Sequence, residues 1–382
     1  MMAAPRFRPH VRAVALALAM LGLTACSSLD KVEPPPYPAI EKGEVVASLR
    51  WKNTRGASAL PGFQPVATSQ GLWVVDARGR VRLLDFKEGR ERKAFRIDAR
   101  AMAGLAADDA QIVLADRSGT VLALDHEGRQ RWRTPLNAEM ATAPQLVDTQ
   151  VLVRTIDGRV MALDSESGSI RWTWKAPDAL LNLWQSSPMV VDADTVYLGL
   201  PNARLIAIDL RFGVPRWETT IASSLGASEL ERLVDIVGAP VRAGDQICAV
   251  AYQGRVACLS TLDGEITWSR PISSSSGLAA DGEDLVIVDS SEVIQLLRPG
   301  GGTVWRQDGY VRRSVSTPVV TPGKRLLFGD AFGKLSVLSM NDGKTLARID
   351  VDDAALATPP VVVDDTAYVQ TLDGTIAAIA LR

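Results

Sequence analysis

The chain of 382 residues is 47% hydrophobic but only 5% aromatic, contains 30 glycines and carries a formal net charge of −2. That balance suits a turn-rich all-β body with a large core, and it excludes the strongly basic surface that a nucleic-acid partner requires. Beyond the leader no apolar run is long enough to cross a bilayer as a helix.

The leader comes first. Arg6, Arg8 and Arg12 make a positive start and Val14 to Leu23 an apolar stretch, which together read as an export signal over residues 1–25. Leu23-Thr24-Ala25-Cys26 then resembles a bacterial lipobox. That resemblance implies cleavage before Cys26, a diacylglyceryl group on its thiol and attachment to the membrane by this lipid alone. Ser27 follows, not the aspartate that resembles an inner-membrane retention signal, so the implied address is the periplasmic leaflet of the outer membrane. Residues 26–43 hold Pro34-Pro35-Pro36 and Pro38, which favour extended polyproline geometry and cannot join a sheet ladder. They are expected to form a tether that holds the body tens of ångströms off the lipid.

From residue 44 to residue 382 one short phrase returns eight times: a turn residue, six positions to a small or acidic residue, then usually four to a glycine and four to a tryptophan. Gly158, Asp164, Gly168, Trp172 is one clear copy, and Ala203, Asp209, Gly213, Trp217 and Gly254, Ser260, Gly264, Trp268 follow at identical spacing. Gly119, Asp125, Gly128, Trp132 has a turn one residue shorter, and Ser291, Leu297, Gly301, Trp305 lacks the first glycine. The first copy carries Lys93 where tryptophan is expected, the seventh carries Ala347, and the eighth ends soon after Gly374. A period near forty residues signals an array of units that bury their cores against one another.

Within each unit, aliphatic and β-branched runs such as Val151–Arg154 and Arg159–Leu163 flank a tight-turn signal, here Asp157-Gly158. A second hairpin follows, whose glycine leads into an outer strand carrying the tryptophan, and that ring is large enough to cover the gap to the next sheet. Four antiparallel strands per unit make a blade, and eight blades predict an all-β, eight-bladed β-propeller. Trp51, Trp132, Trp172, Trp217, Trp268 and Trp305 are the expected blade-docking residues. The last unit lacks an outer strand, and Glu44–Lys52 with Trp51 is placed to supply it, so the N-terminal strand closes the ring.

Little in the chain suggests catalysis. Asp85, Asp125, Asp164 and Asp209 occupy one site in successive blades and read as caps for turn amides. The histidines are His10, in the leader, and His126, a solvated turn residue, too few for a metal cluster or a histidine-based triad. Cys248 and Cys258 fall on two arms of one hairpin. Their setting favours two small buried hydrophobes, while an oxidising compartment permits a disulfide.

Ordinary copies recur every 37 to 42 residues, but Asp164 to Asp209 spans 45 and Asp209 to Ser260 spans 51, so two neighbouring blades carry extra loop. The first insertion contains Leu180, Leu181, Leu183 and Trp184, and the second contains Arg232, Leu233 and Asp235. An apolar centre with a charged rim is the makeup of an interface. Residues 228–236 also fit a short helix capped by Ser228.

The blade phrase resembles the tryptophan-docking repeat of pyrroloquinoline-quinone dehydrogenases. That family carries adjacent cysteines over its quinone, which this chain lacks, so a quinoprotein dehydrogenase or cofactor-binding propeller is the second reading. Lipobox, proline-rich tether, eight docked blades and Glu231-Arg232-Leu233-x-Asp235 together are more similar to the BamB family of β-barrel assembly lipoproteins. This resemblance implies a scaffold that is not an enzyme and needs no cofactor. It implies docking onto a POTRA domain of BamA within the barrel-assembly complex, and assistance to outer-membrane proteins as they fold and insert. By position Leu181 and Leu183 match the family's leucines and Asp235 its acid, whereas Trp184 replaces an expected arginine and Val237 an expected acid. Exposed sheet edges offer unfolded clients a strand to pair with, though the sequence singles none out.

Overall fold

The computed structural model describes residues 33–41, 46–60, 62–97, 101–177, 183, 187–223, 228 and 232–382. These form eight four-stranded antiparallel sheets, seven of them built in chain order from the innermost strand outwards. Blades one to seven cover 66–96, 101–135, 145–175, 190–220, 241–270, 278–307 and 319–350. Blade eight combines Val361–Val363, Thr366–Gln370 and Ile376–Leu381 with Ala47–Asn53. The expected closure is present. Ala47–Asn53 pairs antiparallel with Ile376–Leu381, Trp51 lies opposite Ala378, and the Arg382 N–H donates to the Val46 carbonyl at 2.8 Å.

Burial follows strand position. The second strands of blades three and four, Gln150–Arg154 and Thr195–Leu200, are buried along their whole length because a sheet packs on each side. The outermost strands Ile170–Lys175 and Pro215–Thr220 bury the third residue, the tryptophan, between exposed neighbours. Antiparallel alternation gives the ring two faces. Turns from innermost to second strand and from third to outermost strand share one, the turn face. Turns from second to third strand and connections to the next blade share the other, the loop face.

Each docking tryptophan lies under the third-to-outermost turn of the following blade. The indole N–H groups of Trp51, Trp132, Trp172, Trp217 and Trp305 donate to the carbonyls of Phe86, Ser165, Leu210, Thr261 and Met340 at 2.8–3.1 Å. The turn glycine is required by space as well as by conformation. At Gly213 φ is +69°, and a Cβ there would lie 2.4 Å from Trp172 Cδ2.

The two copies without tryptophan have physical reasons. In blade one, Phe95 replaces the missing ring by packing under Gly128, while Lys93 pairs outside with Glu127 at 2.9 Å. In blade seven, Ala347 would face blade eight, whose outermost strand comes from Ala47–Asn53, so no turn joins it to the third strand and no turn glycine waits for a ring. The repeated aspartates are turn caps, as expected. Asp164 accepts the amides of Glu166 and Ser167, and Asp209 those of Arg211 and Phe212.

Four readings change. His126 is buried: its ring stacks 5.3 Å from Trp73, with Nδ1 2.7 Å from Gln70 Nε2 and Nε2 3.0 Å from the Asp108 carbonyl, because its short turn leans over blade one. Cys248 and Cys258 are bonded, since antiparallel pairing sets them opposite each other on the second and third strands of blade five. No helix covers the described part of 228–236. Arg232 N–H donates to Ser228 O at 3.2 Å, a single helical turn, and Val234 to Val237 are then buried consecutively, a pattern that one helical face cannot supply. Lastly, residues 33–41 of the tether lie against blade seven, with the Tyr37 hydroxyl donating to Asp330 at 2.6 Å.

Candidate functional site

Both insertions connect an outermost strand to the next innermost strand, so both lie on the loop face, flanking blade four. Leu180, Leu181 and Trp184, like Cys26, lie outside the described residues. Leu183 and Leu233 are half-buried and Arg232 is exposed. Asp235, expected on the charged rim of the interface, is only 4% exposed and turned inward.

Its carboxylate braces the two loops. One oxygen accepts the Leu183 N–H at 2.6 Å and the other accepts the Asn202 N–H at 3.0 Å. The Asp235 carbonyl accepts the Tyr252 N–H at 2.8 Å. One residue therefore fixes the first insertion, the second-to-third turn of blade four and the matching turn of blade five. Val234 and Ile236, on either side, enter the core shared by blades four and five. That packing needs Gly199, where a Cβ would lie 2.2 Å from Ile236 Cγ2.

A second layer of hydrogen bonds lies beneath. Ser187 Oγ donates to the Gly238 carbonyl at 2.7 Å and accepts the Gly199 N–H at 3.1 Å, tying the base of the first loop to the end of the second. Arg154 reaches across from the end of a buried strand in blade three, donating to the carbonyls of Ser187 and Gly199. Burial lowers its guanidinium to a pKa of about 10, so at neutral pH it stays charged and keeps both donors. Sequence reasoning missed this residue, although an arginine ending the apolar run Val151-Leu152-Val153 was a visible signal.

The arrangement can hold a shaped surface in place, but nothing in it points to bond-making chemistry. Asp164 and Asp209 are held below the usual carboxylate range chiefly by Arg171 and Arg216, with turn amides assisting, which is the electrostatics of a cap. Among the described residues no group of three or more acidic, histidine or cysteine side chains is placed to hold a metal ion.

Eight sheets joined by indole-to-turn hydrogen bonds define a tryptophan-docked β-propeller. A sequence model of the family described as outer membrane protein assembly factor BamB matches residues 77–298 and 289–382. The outer membrane protein assembly factor BamB of Burkholderia pseudomallei is 33% identical over 369 residues, covering 94% of this chain and 95% of the relative. This chain belongs to the BamB family. The crystal structure of BamB from Moraxella catarrhalis superposes with a TM-score of 0.79 at 22% identity, covering 88% of this chain and 100% of that one. The quinohemoprotein alcohol dehydrogenase of Comamonas testosteroni superposes at 0.70 with 13% identity, covering 88% of this chain and 76% of that one, a likeness of fold alone. Relatives that share 31–33% identity along nearly the whole chain are named outer membrane protein assembly factors, and the protein is an assembly factor rather than an enzyme.

Proposed function

We propose that this protein is a lipid-anchored periplasmic scaffold of outer-membrane β-barrel assembly, bound to that membrane through Cys26 and docked onto a POTRA domain of BamA by its two loop-face insertions. The observation that carries the reading is the bond from Leu183 N–H to Asp235, which couples the loops so that they meet a partner as one pre-formed surface. Leu180, Leu181, Leu183 and Trp184 supply apolar area and Leu233 adds to it, while Arg232 contributes charge at the rim. Asp235 acts from beneath. The names of the full-length relatives support the assembly role.

Co-purification from detergent-solubilised outer membranes tests the reading. The wild-type chain should retain the barrel-assembly complex, and Leu181→Glu or Leu183→Glu should lose it while the ring stays folded by circular dichroism. Full retention by both variants would move the docking site to another face.

A further inference from the structure

The proline-rich segment does more than space the body from the lipid. Residue 46 sits on the turn face, where its carbonyl accepts from the Arg382 N–H and from the side chain of Arg325, the first residue of a second strand. Residue 35 sits on the opposite face. The Pro35 carbonyl accepts from Arg313, which lies in the loop-face connection between blades six and seven. Between them, 35–41 runs antiparallel along the outermost strand Thr345–Asp350. Arg348 donates to the Pro38 carbonyl at 3.2 Å, and the Glu41 N–H donates to Thr345 O at 2.8 Å.

Several features fit blade seven to receive this segment. The guanidiniums of Arg313 and Arg348 lie 3.2 and 4.2 Å from the centre of the Tyr37 ring, whose hydroxyl reaches Asp330. Gly309 lets Pro38 approach, since a Cβ there would lie 2.3 Å from Pro38 Cγ. Lys344 pairs with Glu41 at 2.8 Å. The strand beneath differs from its counterparts: its first residue, Thr345, is 1% exposed, whereas Ile170, first in the equivalent strand of blade three, is 51% exposed. The Tyr37 ring also packs against the apolar core between blades six and seven, which holds Trp305, Tyr310 and Phe328.

We infer that residues 33–41 are a strap that carries the point of membrane attachment from the turn face to the loop face, so that the surface bearing the two insertions is the one held near the lipid. The inference rests on Cys26 being the lipid anchor. A docked strap leaves nine residue steps from Cys26 to Pro35, a reach of roughly 30 Å in polyproline geometry. A free tether would begin at Val46 on the other face, with a reach of roughly 60 Å.

The test uses the full lipidated chain with a single fluorophore on Ser314→Cys, exposed on the loop face, or on Asp342→Cys, exposed on the turn face of the same blade. The native Cys248–Cys258 pair is bonded and buried and will not label. In phosphatidylethanolamine–phosphatidylglycerol vesicles carrying a lipid-linked quencher, quenching should be at least twofold greater at position 314. Tyr37→Ala combined with Arg313→Gln should remove or invert that difference while the protein stays vesicle-bound. Equal quenching at the two positions in the otherwise unmodified chain overturns the inference. Cys26→Ala serves as the control, and vesicle binding that survives it refutes the anchor. Docking is judged separately by hydrogen exchange: the Glu41 amide should be protected and lose protection in the Tyr37 and Arg313 double variant. An unprotected Glu41 amide in the unmodified chain sinks the strap with or without a lipid.

Discussion

Asp235 accepts the backbone N–H of Leu183 across 52 residues of sequence, and its second oxygen accepts that of Asn202. A buried carboxylate used this way is a brace, and its removal should act on both loops together. Asp235→Ala should cost about 1.5–3 kcal/mol of stability, the range for hydrogen bonds to a charged group. Hydrogen exchange at the Leu183 and Asn202 amides should accelerate, with little change in blades one and seven. Docking through the proposed surface should weaken without altering its salt dependence, because the acid is buried beneath that surface. A shallower salt dependence in the variant would put Asp235 at the interface after all.

The architecture was legible because each blade repeats a phrase with a local physical cause: a glycine at positive φ, a capping aspartate and a ring at fixed spacing. A further part of the phrase went unread. The residue two after the tryptophan bonds the next blade's glycine carbonyl through Asn53, Thr134, Thr219, Gln307 and Arg270. Tyr37 and His126 resisted reading for another reason, since their partners lie 293 and 56 residues away and no local pattern announces them. The loops were found by their excess length, but length says nothing about orientation, so Asp235 was placed at the surface when it points inward.

Two tryptophans that look equivalent in sequence should respond differently to replacement by phenylalanine. Trp172 donates to Leu210 O at 2.9 Å, whereas the Trp268 indole nitrogen is buried with no hydrogen-bond partner among the described residues. Trp172→Phe should therefore cost about 1–2 kcal/mol, from the lost bond and an orphaned carbonyl. Trp268→Phe should cost clearly less, because it also removes an unsatisfied donor. Urea midpoints followed by circular dichroism would separate them, and equal losses would contradict the account. Gly213→Ala should exceed both, since its new Cβ meets Trp172 and sits at positive φ.

The Cys248–Cys258 bond closes a loop of about ten residues, for which chain entropy gives roughly 2–3 kcal/mol. Replacing both residues by alanine should lower the melting temperature by several degrees and leave the ring intact. Both sulfurs are buried, so the folded protein should resist mild reductants, and the reductant should release two titratable thiols only when the chain is unfolded in its presence. Rapid reduction of the folded protein would argue that blade five opens locally.

Acid should weaken the ring through its turn caps. Asp164 is held well below the ordinary carboxylate range, first by Arg171 and then by the Ser167 amide and hydroxyl. Asp85 is lowered too: burial opposes ionisation there, but the amides of Glu88, Arg90 and Lys87 outweigh it. A carboxylate whose pKa is depressed by folding contributes stability that is full above the unfolded value, near 4, and is lost as pH falls through the folded value. Asp164→Asn should accordingly destabilise the protein at pH 7, and the gap from wild type should narrow as pH drops below about 4. Urea midpoints at pH 7, 5 and 3 would show it. A gap that stays constant across those values would mean that Asp164 acts through shape alone, with its charge contributing nothing to the turn.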